Sequence, residues 1–359
     1  MSNLVIVNTH YQLIVALQIA ITKLKVQDTD IIISDHCKGL YEAGLNLKNT
    51  NLFRNVYLIS NYHTLREASI IQRIKTIFAI GMGNKNIFSL KFLENAKYDE
   101  VFYNNFDYQT MSIVDVLLKN NNQTKLNKFE EGIFSYRQSN DIKTNKTVLA
   151  IEFLRKISCA TNWENNKNKF YCFFDDYAKT VDVGHYKIES ISKINKNDKH
   201  LKYILDEIYA YKNFSVLDDA SVLFFGSAYD CNEVELLDRI AKKCGKKNIL
   251  VKAHPRKGSE QFEKKGYAIL DTTVPWEIIQ FNETLKGKKL FTVNSGSILL
   301  ANALFQEDLQ GCFLFPIAKE EKNTVENQYY EYINTNIKNV LEFFHKKNLM
   351  TNMRITDEI

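Results

Sequence analysis

Short apolar runs recur along this chain with enough sequence between them for a helix, and that alternation restricts the fold more than any other feature. Leu4-Val5-Ile6-Val7 is continuous rather than alternating, the pattern of a strand buried on both faces of a parallel sheet. A polar turn, Asn8 to Gln12, follows it, and Leu13 to Leu24 has helical periodicity. Ile31 to Ser34, Asn55 to Ile59 and Glu100 to Tyr103 read as further strands. Met111 to Leu118 reads as a helix, Lys125 to Phe129 as a strand and Val148 to Ile157 as a helix. Parallel neighbours need crossover connections, so this order predicts a doubly wound parallel sheet.

The stretch from Lys187 to Lys212 is polar and lysine-rich, and it reads as the region joining two domains. After it the pattern restarts. Ala220 to Phe225 is an expected strand ending in Gly226-Ser227, and Val234 to Lys243 an expected helix with Gly245 as its C-cap. Strands are expected at Asn248 to Val251, Ala268 to Leu270 and Lys289 to Val293. Pro275-Trp276-Glu277 opens a helix with proline in its first turn, and Ile298 to Leu304 and Val325 to Leu349 read as helices. The expected boundaries are a first domain over 1–195, a linker over 196–217, a second domain over 218–330 and a C-terminal helix over 331–359. Two Rossmann-like domains facing a central cleft make the GT-B type of α/β fold.

A chain of 359 residues has room for both domains. Its net charge of +5, from 47 basic and 42 acidic residues, is mild. That suits an anionic small substrate or a bilayer surface and argues against nucleic acid as a partner. The cysteines (Cys37, Cys159, Cys172, Cys231, Cys244 and Cys312) show no C-x-x-C spacing, so reduced thiols are expected and a zinc site is not. No signal-like N-terminus and no long apolar run is present, so a cytoplasmic protein is expected. Phe343-Phe344-His345-Lys346-Lys347 offers a contact for peripheral association with the inner face of a membrane; a solvated amphipathic helix end is the plainer reading.

The residues at the expected strand ends carry the chemistry. In Val251-Lys252-Ala253-His254-Pro255-Arg256, proline ends the strand and leaves an imidazole at its carboxyl end, where open α/β sheets bind ligands. The alternative is a histidine placed there by packing. Asn294-Ser295-Gly296-Ser297 joins a strand to a helix, with small residues and two hydroxyls that suit a phosphate or a simple N-cap. Glu277, one turn into its helix, either complements the helix dipole or accepts from two ribose hydroxyls. Glu130-Glu131-Gly132 sets two carboxylates side by side, which raises one pKa toward that of a general base, or forms a solvated turn. Asn8, Thr9, His10 and Gln12 follow the first strand and either touch substrate or cap the helix. Asp28-Thr29-Asp30 matches the metal-binding D-x-D pattern, but it precedes its strand and reads as a loop. Neither a P-loop nor G-x-G-x-x-G is present.

Taken in order, these motifs resemble those of bacterial sialyltransferases of GT-B fold, including the lipooligosaccharide sialyltransferases and the capsule polysialyltransferases. That group shares an acidic pair followed by glycine, a His-Pro, and a serine motif. The resemblance implies inverting transfer from CMP-sialic acid to a galactoside of a capsule or lipooligosaccharide. Glu131 would be the general base, supported by Glu130 and Gly132, and His254 the general acid, placed by Pro255. Lys252, Glu277, Ser295, Ser297, Gly226 and Ser227 would bind the nucleotide, and Asn8, Thr9 and Gln12 the substrate. No cofactor and no metal is implied; the partners are a CMP-sugar donor and an oligosaccharide or glycolipid acceptor. The serine motif departs from the group, since Gly296 separates hydroxyls that are adjacent in many members, so either serine could bind phosphate. The rival readings are a GT-B transferase using a UDP-sugar or CMP-Kdo, a sugar-nucleotide epimerase of similar build, and a non-catalytic saccharide-binding protein.

Overall fold

The computed structural model describes residues 1–59, 69–81, 90–104, 107–136, 153–154, 163–319 and 330–359. These residues form two compact α/β units. The first comprises Met1–Glu131, Ser135–Ser192 and Glu207–Tyr209. Its strands are β1 (Asn3–Val7), β2 (Thr29–Ser34), β3 (Asn55–Ile59), β4 (Glu100–Tyr103), β5 (Lys125–Phe129), β6 (Lys167–Cys172) and β7 (Lys187–Ser190). They lie in the order β3-β2-β1-β4-β5-β6-β7, and neighbours are parallel. Every residue of β1 is buried, as its unbroken apolar run requires. The chain winds outward from β1 to β3 and then resumes at β4 on the other side of β1. The switch point of this sheet is therefore the gap between the ends of β1 and β4.

Three local readings change. The helix expected from Leu13 starts at His10, because Thr9 is its N-cap and accepts from the Gln12 amide at 3.2 Å. Polar residues that look like a turn are the cap and first turn of the helix. Asp28-Thr29-Asp30 is not a loop: Thr29 and Asp30 belong to β2. Asp30 is buried and accepts from Arg54 through two nitrogens at 2.8 Å, from Asn55 at 3.0 Å and from Tyr98 at 2.6 Å. The apolar run Ile31 to Ser34 shows this strand in the sequence, but its polar, paired start is hidden. Strands β6 and β7 are likewise hidden by their lysines. Lys169 and Lys23 both pair with Glu189, at 3.1 and 3.2 Å, which suits a sheet edge. The helix expected over Val148 to Ile157 lies outside the described residues apart from 153–154, which are helical.

The second unit comprises Gly132–Phe134, Lys193–Asp206 and Ala210–Ile359. Its strands are β8 (Val222–Phe225), β9 (Ile249–Lys252), β10 (Ala268–Ile269), β11 (Lys289–Thr292), β12 (Gln310–Phe313) and β13 (Met353–Ile355). They run parallel in the order β10-β9-β8-β11-β12-β13, with the switch point between β8 and β11. Gly245 closes the helix Glu233–Cys244 with φ 82°, as its sequence position requires. The stretch 196–217 holds the helix Lys199–Tyr209 and a short turn at Ser215–Leu217. Lys196 is anchored in this unit by an ion pair to Glu307 at 2.8 Å. The region 331–359 is not helical throughout: the helix Tyr330–Lys346 leads into β13, which completes the sheet beside β12. So short a strand is specified by its partner rather than by its own sequence. Two Rossmann-like units in series are the organisation of the GT-B type. Among the described residues no helix is long and apolar enough to cross a membrane, and Cys231, Cys244 and Cys312 are free thiols.

Asp30 supplies a test of the first unit. Burial pushes its carboxyl pKa up, but Arg54, Tyr98 and Asn55 outweigh burial and hold it below the ordinary value. The resulting stability is present above the unfolded pKa and is lost as pH falls through the lower folded one. Asp30→Asn should lower unfolding free energy by about 2–4 kcal/mol in urea titrations at neutral pH. It should also flatten the acid limb of the stability profile.

Candidate active site

In the second unit the carboxyl edge of the sheet gathers most of the expected site. Phe225 of β8 pairs with Lys252 of β9, so Gly226-Ser227 and Ala253-His254 leave the sheet side by side. A Cβ on Gly226 would stand 2.9 Å from the His254 backbone nitrogen, so only glycine allows this approach. After Pro255 the chain turns back, and the His254 carbonyl accepts from Lys257 N at 3.0 Å and Gly258 N at 3.2 Å. Arg256 N donates to His254 Nδ1 at 3.2 Å. With Nδ1 accepting, the proton of a neutral imidazole sits on Nε2. Burial, then the charges of Arg256 and Lys257, push the His254 pKa down to about 4. His254 is neutral near pH 7 in the free protein, with one N–H to donate.

The loops after β8 and β11 are tied together across the switch point. Ser227 is fully buried; its Oγ donates to Asn294 Oδ1 at 2.9 Å and accepts from Tyr229 N at 3.0 Å. Its backbone N–H donates to Glu233 Oε2 at 2.7 Å. Ser227 thus braces the two loops. Ser295 and Ser297 are partly exposed, with their hydroxyl oxygens 3.3 Å apart. The helix Ser297–Phe305 has no side-chain cap at its start. An anion there would meet two hydroxyls and the first helical amides.

Glu277 is buried in the first turn of the helix Trp276–Asn282, with Pro275 as N-cap. Burial raises its pKa, opposed by the charge of Lys252. Lys252 is lowered by burial, with Glu277 and Asp271 opposing. The two are therefore near enough, in buried surroundings, for each charge to act on the other. Gly132 belongs to this unit too: its φ is +84°, and a Cβ there would stand 2.6 Å from Leu300 Cδ1, in the helix that Ser297 begins.

In the first unit the two glutamates separate sharply. Glu130 is fully buried and accepts from Tyr11 Oη at 2.8 Å, from Phe173 N at 2.8 Å and from Tyr136 Oη. Glu131 is partly exposed, and its N–H donates to Ser135 Oγ at 2.6 Å. Ser135 is also held by Asn104 Nδ2 at 3.2 Å. The sequence singles out the acidic pair but gives no hint of Tyr11 and Tyr136, whose hydroxyls fix Glu130 from distant positions. Asn294 stands in the serine motif, but its bond with Ser227, like that of Glu233, joins distant positions.

Asn8, Thr9 and Gln12 lie at the switch point between β1 and β4, where ligands are expected. Their hydrogen bonds lie within this unit. Asn8 N donates to Gln12 Oε1 at 2.6 Å, and Asn8 Nδ2 donates to Asp107 Oδ2 at 2.7 Å and Thr110 Oγ1 at 3.3 Å. Burial holds the Asp107 carboxyl above its ordinary pKa against the donors of Thr110 and Gln109. Gln12 Nε2 is buried with no hydrogen-bond partner. Among the described residues no group of three or more His, Cys, Asp and Glu side chains is placed to hold a metal ion.

The family model described as "Alpha-2,8-polysialyltransferase (POLYST)" matches residues 3–308. The chain belongs to the alpha-2,8-polysialyltransferase family. The matched span contains the acidic-Gly, His-Pro and serine motifs of this polysialyltransferase-family chain. No curated protein matches it. Two solved structures of HepE from Anabaena are similar. One, in complex with UDP, is 10% identical with a TM-score of 0.42; the other, with UDP and glucose, is 11% identical with a TM-score of 0.43. Each likeness covers 95% of this chain and 91% of the HepE chain. Likeness at those scores carries nothing over to the polysialyltransferase-family site.

The His254 geometry makes a prediction of its own. In NMR titrations of the free protein, His254 should titrate near pH 4 as the Nε2–H tautomer. Saturating CMP should raise that value, because a phosphate beside the ring favours the imidazolium. A His254 resonance that titrates near its ordinary value and ignores CMP would show that the ring does not face the nucleotide.

Proposed function

We propose that this protein is an inverting sialyltransferase that uses CMP-sialic acid without a metal. The observation that carries this reading is the edge of the second sheet. There His254, Lys252, Glu277 and the serine loop converge around one switch point, in a chain of the polysialyltransferase family. The donor phosphate would lie at Ser295, Ser297 and the uncapped helix start, with Glu277 at the ribose and Lys252 balancing charge. His254 Nε2–H would donate to the phosphate oxygen as the bond from the anomeric carbon to CMP breaks. The approaching phosphate raises the imidazole pKa, so the hydrogen bond can become proton transfer.

Glu131 would accept the proton of the acceptor hydroxyl as its oxygen attacks the anomeric carbon. Glu130 would act as a positioning residue, since its oxygens are held by tyrosines and a backbone amide. The family description favours an acceptor that ends in sialic acid; the galactoside expected from sequence is the second candidate. Asn8, Thr9 and Gln12 remain proposed acceptor-side residues, with the unpartnered Gln12 Nε2 as their support.

CMP release from CMP-sialic acid should require an acceptor, tested with an oligosialic acid and with a galactoside. Glu131→Gln and His254→Ala should each lower kcat by roughly 10²–10⁴-fold with little change in Tm. Glu130→Gln should instead destabilise the protein by about 1–3 kcal/mol, because it disturbs a buried hydrogen-bonded carboxylate. No CMP release with either acceptor, alongside turnover of a UDP-sugar or CMP-Kdo, would overturn this reading. Acceptor-independent interconversion of UDP-sugars would do the same in favour of an epimerase.

A further inference from the structure

One face of the helix Tyr330–Lys346 reaches both loops that frame the switch point of the second sheet. Tyr330 and Asn334 stand four residues apart, so they lie on the same face, one turn from each other. Tyr330 is buried and meets the Tyr229 ring edge-to-face, with centroids 5.9 Å apart. Tyr229 belongs to the loop after β8, and its N–H donates to Ser227 Oγ at 3.0 Å. Asn334 is also buried. Its Oδ1 accepts, at 3.3 Å, from Nδ2 of Asn294 in the loop after β11. Asn294 Oδ1 in turn accepts from Ser227 Oγ at 2.9 Å.

These contacts close a circuit: helix to Tyr229, Tyr229 to Ser227, Ser227 to Asn294, and Asn294 back to the helix. A carboxamide is fixed in one orientation when both its oxygen and its NH2 group are engaged. Ser227 holds the oxygen of Asn294 and Asn334 holds its nitrogen. Ser295 follows directly, and its N–H donates to Thr292 Oγ1 at 2.9 Å, so the serine loop leaves β11 from a fixed start. The helix is itself anchored, because Ile333, Ile337, Val340, Leu341 and Phe344 are buried and the chain then enters the sheet as β13. It begins past residue 308, where the family match ends, so its part in the site comes from this chain's own contacts. We propose that Tyr330 and Asn334 are positioning residues for the nucleotide. They hold the loops after β8 and β11 at the separation that a donor phosphate on Ser295 and Ser297 requires. This role rests on the reading that the nucleotide lies at the serine loop.

Calorimetric titration of the full chain with CMP, and separately with UDP, tests it beside hydrogen exchange of residues 226–232 and 293–298. Asn334→Leu leaves the Asn294 amide without its acceptor and should weaken CMP binding about tenfold. Both loops should exchange faster in that variant. Tyr330→Leu keeps the amide bond and loses the ring contact, so it should weaken binding about threefold. It answers the same question should Asn334→Leu not fold. Phe344→Ala is the control, since it lies about 15 Å along the helix from Asn334. It should lower Tm and leave CMP affinity and loop exchange unchanged. The proposal fails if Asn334→Leu and Tyr330→Leu bind CMP as tightly as the native chain. It also fails if Phe344→Ala weakens binding as much as they do, which would mark a purely structural role. A native chain that binds UDP and not CMP overturns the donor reading instead, and the same variants then decide the positioning role on UDP. Binding of neither nucleotide overturns both.

Discussion

The hydrogen bond from Ser227 to Asn294 is the constraint on which the rest of the second unit's site depends. A parallel sheet splits its connections at the switch point and leaves two loop ends with no strand between them. Such loops are free to move apart unless something bridges them. Here a fully buried serine does so, itself held by Glu233 and Tyr229. Because Ser227 is fixed, Gly226 is fixed, and the His254 backbone can come to lie against it. The position of the imidazole is thus a consequence of a buried polar bracket. Asn294 and Ser227 would both be costly to replace with apolar residues one at a time, since each leaves the other unsatisfied.

The same logic separates the two neighbouring glutamates. One sequence motif supplies both, yet the structure makes them chemically different. Glu130 is enclosed by two phenols and an amide, which hold its oxygens in place and take up its accepting capacity. Glu131 lies one residue further, where the chain leaves β5 and its side chain regains partial exposure. A base needs a lone pair that can reach a substrate proton, so the outer carboxylate suits that task and the inner one suits holding the turn.

The architecture was largely legible because buried parallel strands write themselves as unbroken apolar runs, as Leu4 to Val7 and Val222 to Phe225 do. The misses are elements whose identity is decided by distant partners. Lys169 of β6 pairs with Glu189 of β7, and β13 is three residues long. The positions of the candidate residues, rather than their roles, were legible for the same reason. Residues at strand ends announce themselves by local pattern: His254 by its proline, Ser295 and Ser297 by their small neighbours, Glu277 by the helix start. Tyr11, Tyr136 and Glu233 act across the fold, and no window of sequence contains both them and their partners.

A depressed imidazole pKa sits awkwardly with a general acid until the leaving group is considered. In the free protein, burial and two nearby cations keep His254 neutral. A charged histidine there would be repelled by Arg256 and Lys257. In the proposed complex a nucleotide phosphate would reverse that balance by neutralising the cations and attracting a proton to the ring. In the proposed mechanism the acid is therefore made by its own substrate. The neutral Nε2–H first serves as a hydrogen-bond donor, and it gains full acidity only where negative charge develops on departing CMP. On that view the low value in the free enzyme is what a charge-responsive donor requires.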